Sequence, residues 1–324
     1  MGKLLFSIGI VIVGVGIGYV IQICVEKKRF SLPIEKVRKR LQKAALLFFN
    51  PVAILGATWA ADIRDIKIAA LPFLGMAALV TGGCLALGAS RLLRLSRKQT
   101  GSYVVCGSFT NIGSLGALFC FIFLGEAGFA LVPFYKLFEE SIYYAIGFPI
   151  SKSFSDDLSE TPAFVQRLKD AATDIFVLVA VSSIAIGLVL NLSSIPRFPF
   201  YGSINAVLIP LAAMLLLISI GMAMRFSSVK QFFKPAIVVA LIKFAIVPIV
   251  IVAIGYLLGL GEIAEGLPLK VVLILSSMPV GFIAMVPPTI YNLDVNLANA
   301  CWLVTNGWLI VQIPILMALT RHIY

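Results

Sequence analysis

The sequence is poor in charged residues, in histidine and in paired cysteines. Asp, Glu, Lys and Arg make up 13% of its 324 residues, whereas soluble domains carry about 25%. The single histidine, His322, is third from the C-terminal end, which argues against histidine-based triads and HExxH metal sites. None of the five cysteines forms a CxxC pair, so neither a zinc site nor a redox pair is indicated. We therefore expect neither an enzyme nor a cofactor.

Long apolar runs dominate the sequence instead. Hydrophobic residues make up 60% of the chain and its mean hydropathy is +1.03, which indicates a polytopic membrane protein. A span needs about 20 apolar residues, and ten segments of this kind are joined by short connections. We predict an all-α protein whose ten transmembrane helices occupy residues 4–24, 44–62, 68–90, 101–123, 127–150, 172–191, 203–224, 233–258, 268–291 and 296–320.

Basic residues are distributed unevenly between the two sets of loops. Eighteen of the 26 Lys and Arg residues fall on one side and six on the other, while Lys136 and Lys243 lie inside predicted spans. The side with eighteen should be cytoplasmic by the positive-inside rule, which places both termini outside. Because these residues flank apolar segments, the net charge of +11 does not indicate a nucleic-acid partner.

The most polar stretch, residues 151–170, divides the ten segments into five plus five. An odd number of spans per half means that the second half enters from the opposite side, so any repeat must be inverted. Residues 17–22 resemble 186–191 at an offset of 169, and Asn111 aligns with Pro279 at an offset of 168. We therefore predict a first five-helix repeat (1–150), a cytoplasmic connecting loop (151–170) and a second, inverted five-helix repeat (171–324).

The fourth segment is interrupted by polar residues and glycines around Asn111. Glycine in a helix costs about 1 kcal/mol relative to alanine, so Gly101, Gly107, Gly113 and Gly116 favour unwinding. Close helix packing explains the glycines equally well, but a buried amide needs a partner. Irregular backbone at membrane depth is tolerated only where it faces protein or a water-filled cavity. The candidate substrate-binding residues here are Ser108, Thr110, Asn111 and Gly113.

Pro279 lies near the middle of the ninth segment. Proline removes a helical hydrogen bond, so we expect a second break here, with a simple kink as the alternative. Two interrupted segments in corresponding halves are the best sequence indication of a transporter's binding site. If both segments break and cross, the free N–H groups at the N-termini of the following half-helices can bind an anion. Ser277, Met278 and Pro279 complete the candidate substrate-binding set.

Ionisable residues inside a membrane are costly and point to function. In the fifth segment Lys136 is spaced i,i+3 from Glu139 and i,i+4 from Glu140, so both carboxylates can reach one ammonium. One pair would be a structural ion pair, and the remaining carboxylate could bind a proton or a cation; structural and coupling roles stay open. Lys243 either snorkels to the surface or balances substrate charge. Asn306 is expected to line the cavity or to bond across helices.

Two further features can be explained by structure as well as by function. Asn50-Pro51 in the second segment predicts an extended or kinked backbone, which need not serve a site. Tyr143 and Tyr144 either extend the polar face of the fifth segment or belong to an interfacial aromatic belt.

These motifs together resemble the auxin efflux carrier family, which includes bacterial malate-permease-like members and plant auxin exporters. Asn111 matches the family's crossover asparagine and Pro279 its crossover proline. The family often has a proline where this chain has Ala117-Leu118, so glycine-mediated unwinding is expected. The resemblance is carried by Phe49-Asn50-Pro51, by Ser108–Gly116, which is similar to the family's Gly-Asn-x-Gly-x-x-Gly stretch, by Phe123–Gly128 and by Ser277-Met278-Pro279.

The resemblance implies ten spans in two inverted five-span repeats, with broken helices 4 and 9 crossing at the substrate site. We predict a secondary transporter that moves small organic anions, such as carboxylates or auxin-like weak acids, by elevator-like alternating access in a bacterial cytoplasmic membrane. The alternative is a sodium- or proton-coupled symporter of the bile-acid type, although the sodium-binding residues of those symporters are not recognisable here. A membrane-embedded enzyme, a channel and a receptor fit less well. Expected partners are the organic anion and the lipid bilayer, with a proton or sodium ion and a homodimer left open.

Overall fold

Helices make up nearly all regular structure in the computed structural model of the chain. It describes residues 2–27, 31–61, 65–156, 166, 169, 172–193, 195–226 and 229–323. Within these residues one isolated antiparallel bridge is the exception. The helices, numbered in chain order, are α1 (Gly2–Glu26), α2 (Ile34–Ala60), α3 (Ile66–Leu92), α4 (Arg97–Ser108), α5 (112–135), α6 (139–152), α7 (Ile175–Leu192), α8 (Phe200–Gly221), α9 (Phe233–Leu257), α10 (Leu267–Ser276), α11 (Val286–Ile290) and α12 (Val295–His322).

Eight stretches among the described residues are helical, long and apolar enough to cross a membrane, which makes the chain an integral membrane protein. One of them, Ile112–Lys152, is 41 residues long and takes in most of the predicted fourth and fifth segments. The predicted ninth segment is divided into α10 and α11 and is too fragmented to qualify. The ten-span inverted repeat therefore stays a prediction.

Several predicted boundaries were wrong. The second segment begins at Ile34 instead of residue 44, so most of the basic residues expected in a loop lie on a helix. The expected gap between residues 123 and 127 is a kink within α5, where Gly125 has φ +73°, a conformation that favours glycine. The fifth segment instead contains a turn at residues 136–138. Most of the predicted 151–170 loop lies outside the described residues.

The described residues contain four π turns, one at Ile112–Gly116 and three that each end two residues before a proline. These three are Ala45–Phe49 before Pro51, Tyr143–Gly147 before Pro149 and Ile242–Ile246 before Pro248. Proline has no N–H and its ring clashes with the carbonyl four residues earlier, so the preceding turn opens. The distortion predicted at Asn50-Pro51 takes this form. A π turn also changes which face its residues present, and such turns are frequent at functional sites.

The chain separates into two compact units. Unit 1 contains Met1–Arg64, Gly113–Pro133 and Leu178–Met224, and unit 2 contains Asp65–Ile112, Phe134–Val177 and Arg225–Tyr324. Each unit takes residues from both halves of the sequence. The predicted repeats 1–150 and 171–324 divide the chain by sequence, whereas the two units divide it by contacts in space. The repeats therefore remain a prediction.

Unit 1 is held together by close helix packing. A Cβ atom added at Gly18 of α1 would overlap the backbone of α8, and one at Gly221 of α8 would overlap the backbone of α1. Small residues allow such approach, which is how membrane helices gain packing energy. The side chain of Asn205 on α8 also donates a hydrogen bond of 3.1 Å to the carbonyl of Ala53 on α2.

A charge cluster made of Glu126, Arg197 and Asn205, here called the Glu126 cluster, lies within unit 1. The two terminal nitrogens of Arg197 each lie 2.9 Å from a different carboxylate oxygen of Glu126, a bidentate pair. The amide of Asn205 donates to the same carboxylate. Both side chains of the ion pair are mostly buried, and the charges balance one to one. Bidentate Arg–carboxylate pairs of this kind are strong and geometrically specific.

In unit 2, helices α3 and α4 pack through glycine. A Cβ atom at Gly107 would overlap the Ala86 side chain, and its neighbour Gly82 approaches the Gly107 carbonyl. A Cβ atom at Gly101 would lie 2.8 Å from the Cβ of Phe154. Helix α4 is regular through both Gly101 and Gly107. The expectation that these glycines unwind the helix was therefore wrong, and the packing alternative applies to them.

Candidate functional site

The candidate site is a crossover in unit 2, formed by residues 109–111 after α4 and 277–281 after α10. The two stretches are non-helical and pair antiparallel through Thr110 and Val280. The N–H of Asn111 donates to the carbonyl of Pro279 over 2.9 Å, and the N–H of Gly281 donates to the carbonyl of Phe109 over 3.1 Å. Both interruptions expected from the sequence are present, and they meet each other.

The sequence explains why the backbone can leave the helix here. Pro279 has no N–H to donate, so losing the helical register costs less at this position. A Cβ atom at Gly281 would lie 2.9 Å from the carbonyl oxygen of Thr110, so only glycine permits the observed approach. Where each helix ends, backbone N–H and C=O groups lose their helical partners. Each of the two stretches supplies hydrogen-bond partners for such groups of the other, which meets the requirement that buried backbone groups be paired.

Helix α12 closes one side of the crossover. The hydroxyl of Thr305 accepts a hydrogen bond of 3.2 Å from the N–H of Val280. The amide of Asn306 donates to the carbonyls of Val280, over 3.3 Å, and of Trp302, over 2.8 Å. Asn306 thus bonds across to the crossover backbone, one of the two roles expected for it.

Lys243 of α9 reaches the crossover from another side. Its side chain is 2% exposed, so the snorkelling alternative was wrong. Its ammonium donates to the carbonyl of Ser108 over 3.1 Å and to the hydroxyl of Thr110 over 2.5 Å. Among the described residues no carboxylate lies within 4.0 Å of this ammonium. A buried cation therefore sits at the crossover on neutral oxygen partners alone.

A hydrogen-bonded link joins the crossover to the acidic residues of α6. The hydroxyl of Tyr143 lies 2.6 Å from Glu139 Oε1, and 3.1 and 3.2 Å from the backbone nitrogen and oxygen of Thr110. The other oxygen of Glu139 lies 3.2 Å from the ammonium of Lys136. Glu140 is half-buried on the same short helix. Tyr143 therefore extends the polar face and is not an interfacial belt residue.

The remaining predicted residues differ in position. Ser277 and Met278 are almost fully buried in the crossover, and the Ser277 hydroxyl has no hydrogen-bond partner among the described residues. Asn111 is also buried, with its backbone in the antiparallel pairing. Gly113 is half-buried and belongs to unit 1. Unit 2 thus contains Ser108, Thr110, Asn111, Ser277, Met278, Pro279 and Asn306. Tyr143 links the crossover to Glu139, and Glu139 pairs with Lys136, whereas Glu140 lies next to them in the chain without a bond to either.

Lys243, Tyr143 and Thr305 were absent from the predicted site set. Lys243 and Tyr143 each lie on a π turn that precedes a proline by a few residues. A polar residue five or six positions before a proline within an apolar segment is a signal that could have identified both. Thr305 shares its helix face with Cys301, whose carbonyl it bonds over 2.9 Å, and nothing in the sequence distinguishes it from a packing threonine.

Comparison with known proteins gives one informative similarity. The chain matches no protein-family model. It is similar to an uncharacterized transporter of Methanothermobacter thermautotrophicus, with 23% identity over 282 residues that cover 87% of this chain and 88% of that protein. The similarity thus runs through almost the whole length of both proteins. Together with the apolar helices, it supports a membrane transporter.

Proposed function

We propose that the protein is a secondary transporter of small organic anions and that the crossover is its substrate site. The observation that carries the proposal is Lys243, a buried ammonium beside the crossover with no carboxylate within 4.0 Å of it among the described residues. A buried charge is expensive unless it is paired. An anionic substrate group would supply the missing countercharge.

The neutral partners of Lys243 satisfy its hydrogen bonds only in part. The Ser108 carbonyl is at the C-terminal end of α4, where the helix dipole carries partial negative charge. The Thr110 hydroxyl both accepts from Lys243 and donates to the same carbonyl over 3.1 Å. An ammonium has three N–H groups, and two are used here, which leaves one for a substrate carboxylate. Asn111 and Ser277 are the neighbouring polar groups that we assign to substrate contact.

The same geometry disfavours the bile-acid-type sodium symporter. Carbonyls of unwound helices and ends of half-helices are the usual ligands for a coupled sodium ion. At this crossover the carbonyl of Ser108 and the hydroxyl of Thr110 already hold an ammonium. We therefore propose transport that does not depend on sodium.

Elevator-like alternating access requires the substrate site to travel as one body. The crossover, Lys243, Tyr143 and the α6 acids all belong to unit 2, which supports this mode of movement. The ten-span inverted repeat and the resemblance to auxin efflux carriers are part of the same proposal.

The proposal is tested by ligand binding and by flux. Purified protein is screened by thermal shift against malate, benzoate and indole-3-acetate, and hits are tested for uptake into proteoliposomes with and without sodium. For a hit, Lys243→Met should weaken binding by at least about 30-fold, since a buried charge pair loses 2 kcal/mol or more when truncated. Lys234→Met is the matched control, because Lys234 is exposed on the same helix.

Unchanged affinity in Lys243→Met for every carboxylate that binds would contradict the crossover as an anion site. Uptake that requires sodium would favour the bile-acid-type alternative. Flux far above a carrier's turnover, with no saturation, would favour a channel.

A further inference from the structure

The charges on α6 do not balance locally. Glu139 is 5% exposed in its side chain and pairs with Lys136. Glu140 makes no hydrogen bond or ion pair within the part of the chain that the structure describes. Two carboxylates, Glu139 and Glu140, here called the acidic pair, therefore lie near one ammonium that pairs with only one of them. If both carboxylates are ionised, the net charge of Glu139, Glu140 and Lys136 together is −1.

The groups around the acidic pair do not remove this excess. Glu140 is within electrostatic range of Asp174, whose carboxylate caps the start of α7, and of the Tyr144 hydroxyl. On the other side Tyr143 separates Glu139 from Lys243. Helix α3 contributes an aromatic contact, Phe73 against Phe138, with ring centres 5.7 Å apart. Excess negative charge in a poorly solvated place favours protonation of one carboxylate.

The hydroxyl of Tyr143 can change its hydrogen-bond acceptor when this protonation occurs, and one of its two acceptors belongs to the crossover. It has one hydrogen and two nearby acceptors, Glu139 Oε1 at 2.6 Å and the Thr110 carbonyl at 3.2 Å. An ionised Glu139 takes that hydrogen. A proton held by the acidic pair reduces the negative charge beside the Tyr143 oxygen, and the tyrosine hydrogen can then turn to the Thr110 carbonyl.

We infer that the acidic pair is a binding site for one exchangeable proton and that Tyr143 couples this proton to anion binding at the crossover. Proton uptake changes the pair with Lys136 from one negative charge to none. The repulsion between the pair and an anion beside Lys243 then falls, so proton and anion favour each other's binding, and by linkage the coupling is reciprocal. The coupling half of the inference rests on the proposed function, whereas the proton site does not.

The proton site is tested without any substrate, by infrared difference spectra of the protein in phosphatidylcholine vesicles across a pH series kept above about pH 5.5, where exposed carboxylates are ionised. The parent protein should show a carboxylic-acid band that grows as the pH falls. Glu139→Gln and Glu140→Gln should each abolish it, because either change leaves one carboxylate for one ammonium. Lys136→Met should retain the band, and the band should persist to a higher pH than in the parent protein. Glu265→Gln, at an exposed acid, should leave the spectrum unchanged.

A band that survives in both single glutamine variants would overturn the proton site. The coupling is tested with a carboxylate that binds, by following proton uptake into proteoliposomes with a trapped pH dye. Uptake should accompany the anion in the parent and be reduced at least severalfold in Tyr143→Phe, with less change in anion binding. Anion flux with no proton movement in the parent would overturn the coupling. Absence of any anion flux would instead overturn the proposed function and leave the infrared result standing.

Discussion

Both units bury charge, but they do so in different ways. In unit 1 the Glu126 cluster pairs one carboxylate with one guanidinium at two distances of 2.9 Å. In unit 2 the charges are not matched one to one. Lys243 has only neutral hydrogen-bond partners, and Lys136 pairs with Glu139 but not with the neighbouring Glu140. The first arrangement is complete without a ligand. In the second, we propose that an anion beside Lys243 and a proton on the acidic pair complete the charge balance.

This difference follows from the cost of burying ions. A buried pair is tolerated when its geometry is good and its remaining groups are bonded, and breaking one partner is strongly destabilising. A charged group that must bind and release a ligand cannot have all of its hydrogen-bond and charge partners within the protein, since the ligand would then gain no binding free energy from it. Charge balance therefore separates the cluster that stabilises its unit from the one that we propose to act in transport.

The largest expected effect on stability is in unit 1. Arg197→Met should destabilise the protein by about 3 kcal/mol, because it leaves the mostly buried Glu126 carboxylate without its countercharge. Thermal or denaturant unfolding in detergent measures the loss, and anion binding per folded molecule should be unchanged. Arg91→Met, at an exposed arginine near the end of α3, is the control.

Removing both charges of the pair sharpens the same prediction. The double variant with Glu126→Gln and Arg197→Met should recover most of the loss, because no unpaired ion is left buried. If the double variant were as unstable as the sum of its single variants, the pair would not be the source of the stability.

Lys243→Met should have the opposite signature. Methionine fills similar volume without a charge, and the Ser108 carbonyl keeps the Thr110 hydroxyl as its donor. We expect unfolding stability to stay within about 1 kcal/mol of the parent or to rise, as for other buried ions replaced by apolar residues, while anion binding is lost. A large destabilisation with binding retained would make Lys243 a structural ion and remove the contrast between the units.

The sequence identified the backbone of the site better than its side chains. Prolines, glycines and polar residues inside apolar segments are local signals, and both interruptions, at Asn111 and at Pro279, were predictable from them. The spacing of Lys136 and Glu139 likewise predicted an ion pair, which is present at 3.2 Å. Each of these conclusions depends on residues close together in the chain.

What the sequence could not show depends on distant contacts. Lys243 is 133 residues from Thr110, and its direction is set by a π turn, which regular helical periodicity does not describe. Glu126 and Asp294 are 168 residues apart, the same offset as Asn111 and Pro279, so an inverted repeat would give them equivalent roles. Glu126 instead pairs with Arg197, whereas Asp294 caps α12 by accepting from the N–H of Leu297. Equivalent sequence positions thus have different partners, which limits the repeat as a guide to function.

An exposed ion pair gives the baseline for both buried clusters, and its effect should be the smallest. Lys98 and Asp156 are 2.7 Å apart and largely exposed, and the hydrogen bond from Lys98 lowers the pKa of Asp156 below its ordinary value. A lowered folded-state pKa means that the pair stabilises the protein above the pKa of the unfolded chain and ceases to do so as the pH falls through the folded-state pKa. Since exposed pairs are screened by solvent and salt, Asp156→Asn should produce no measurable change in thermal unfolding at physiological salt, at neutral or acidic pH. A loss at neutral pH comparable to that of Arg197→Met would show that short ion-pair distance alone stabilises this protein, and burial and charge balance would then not distinguish its two units.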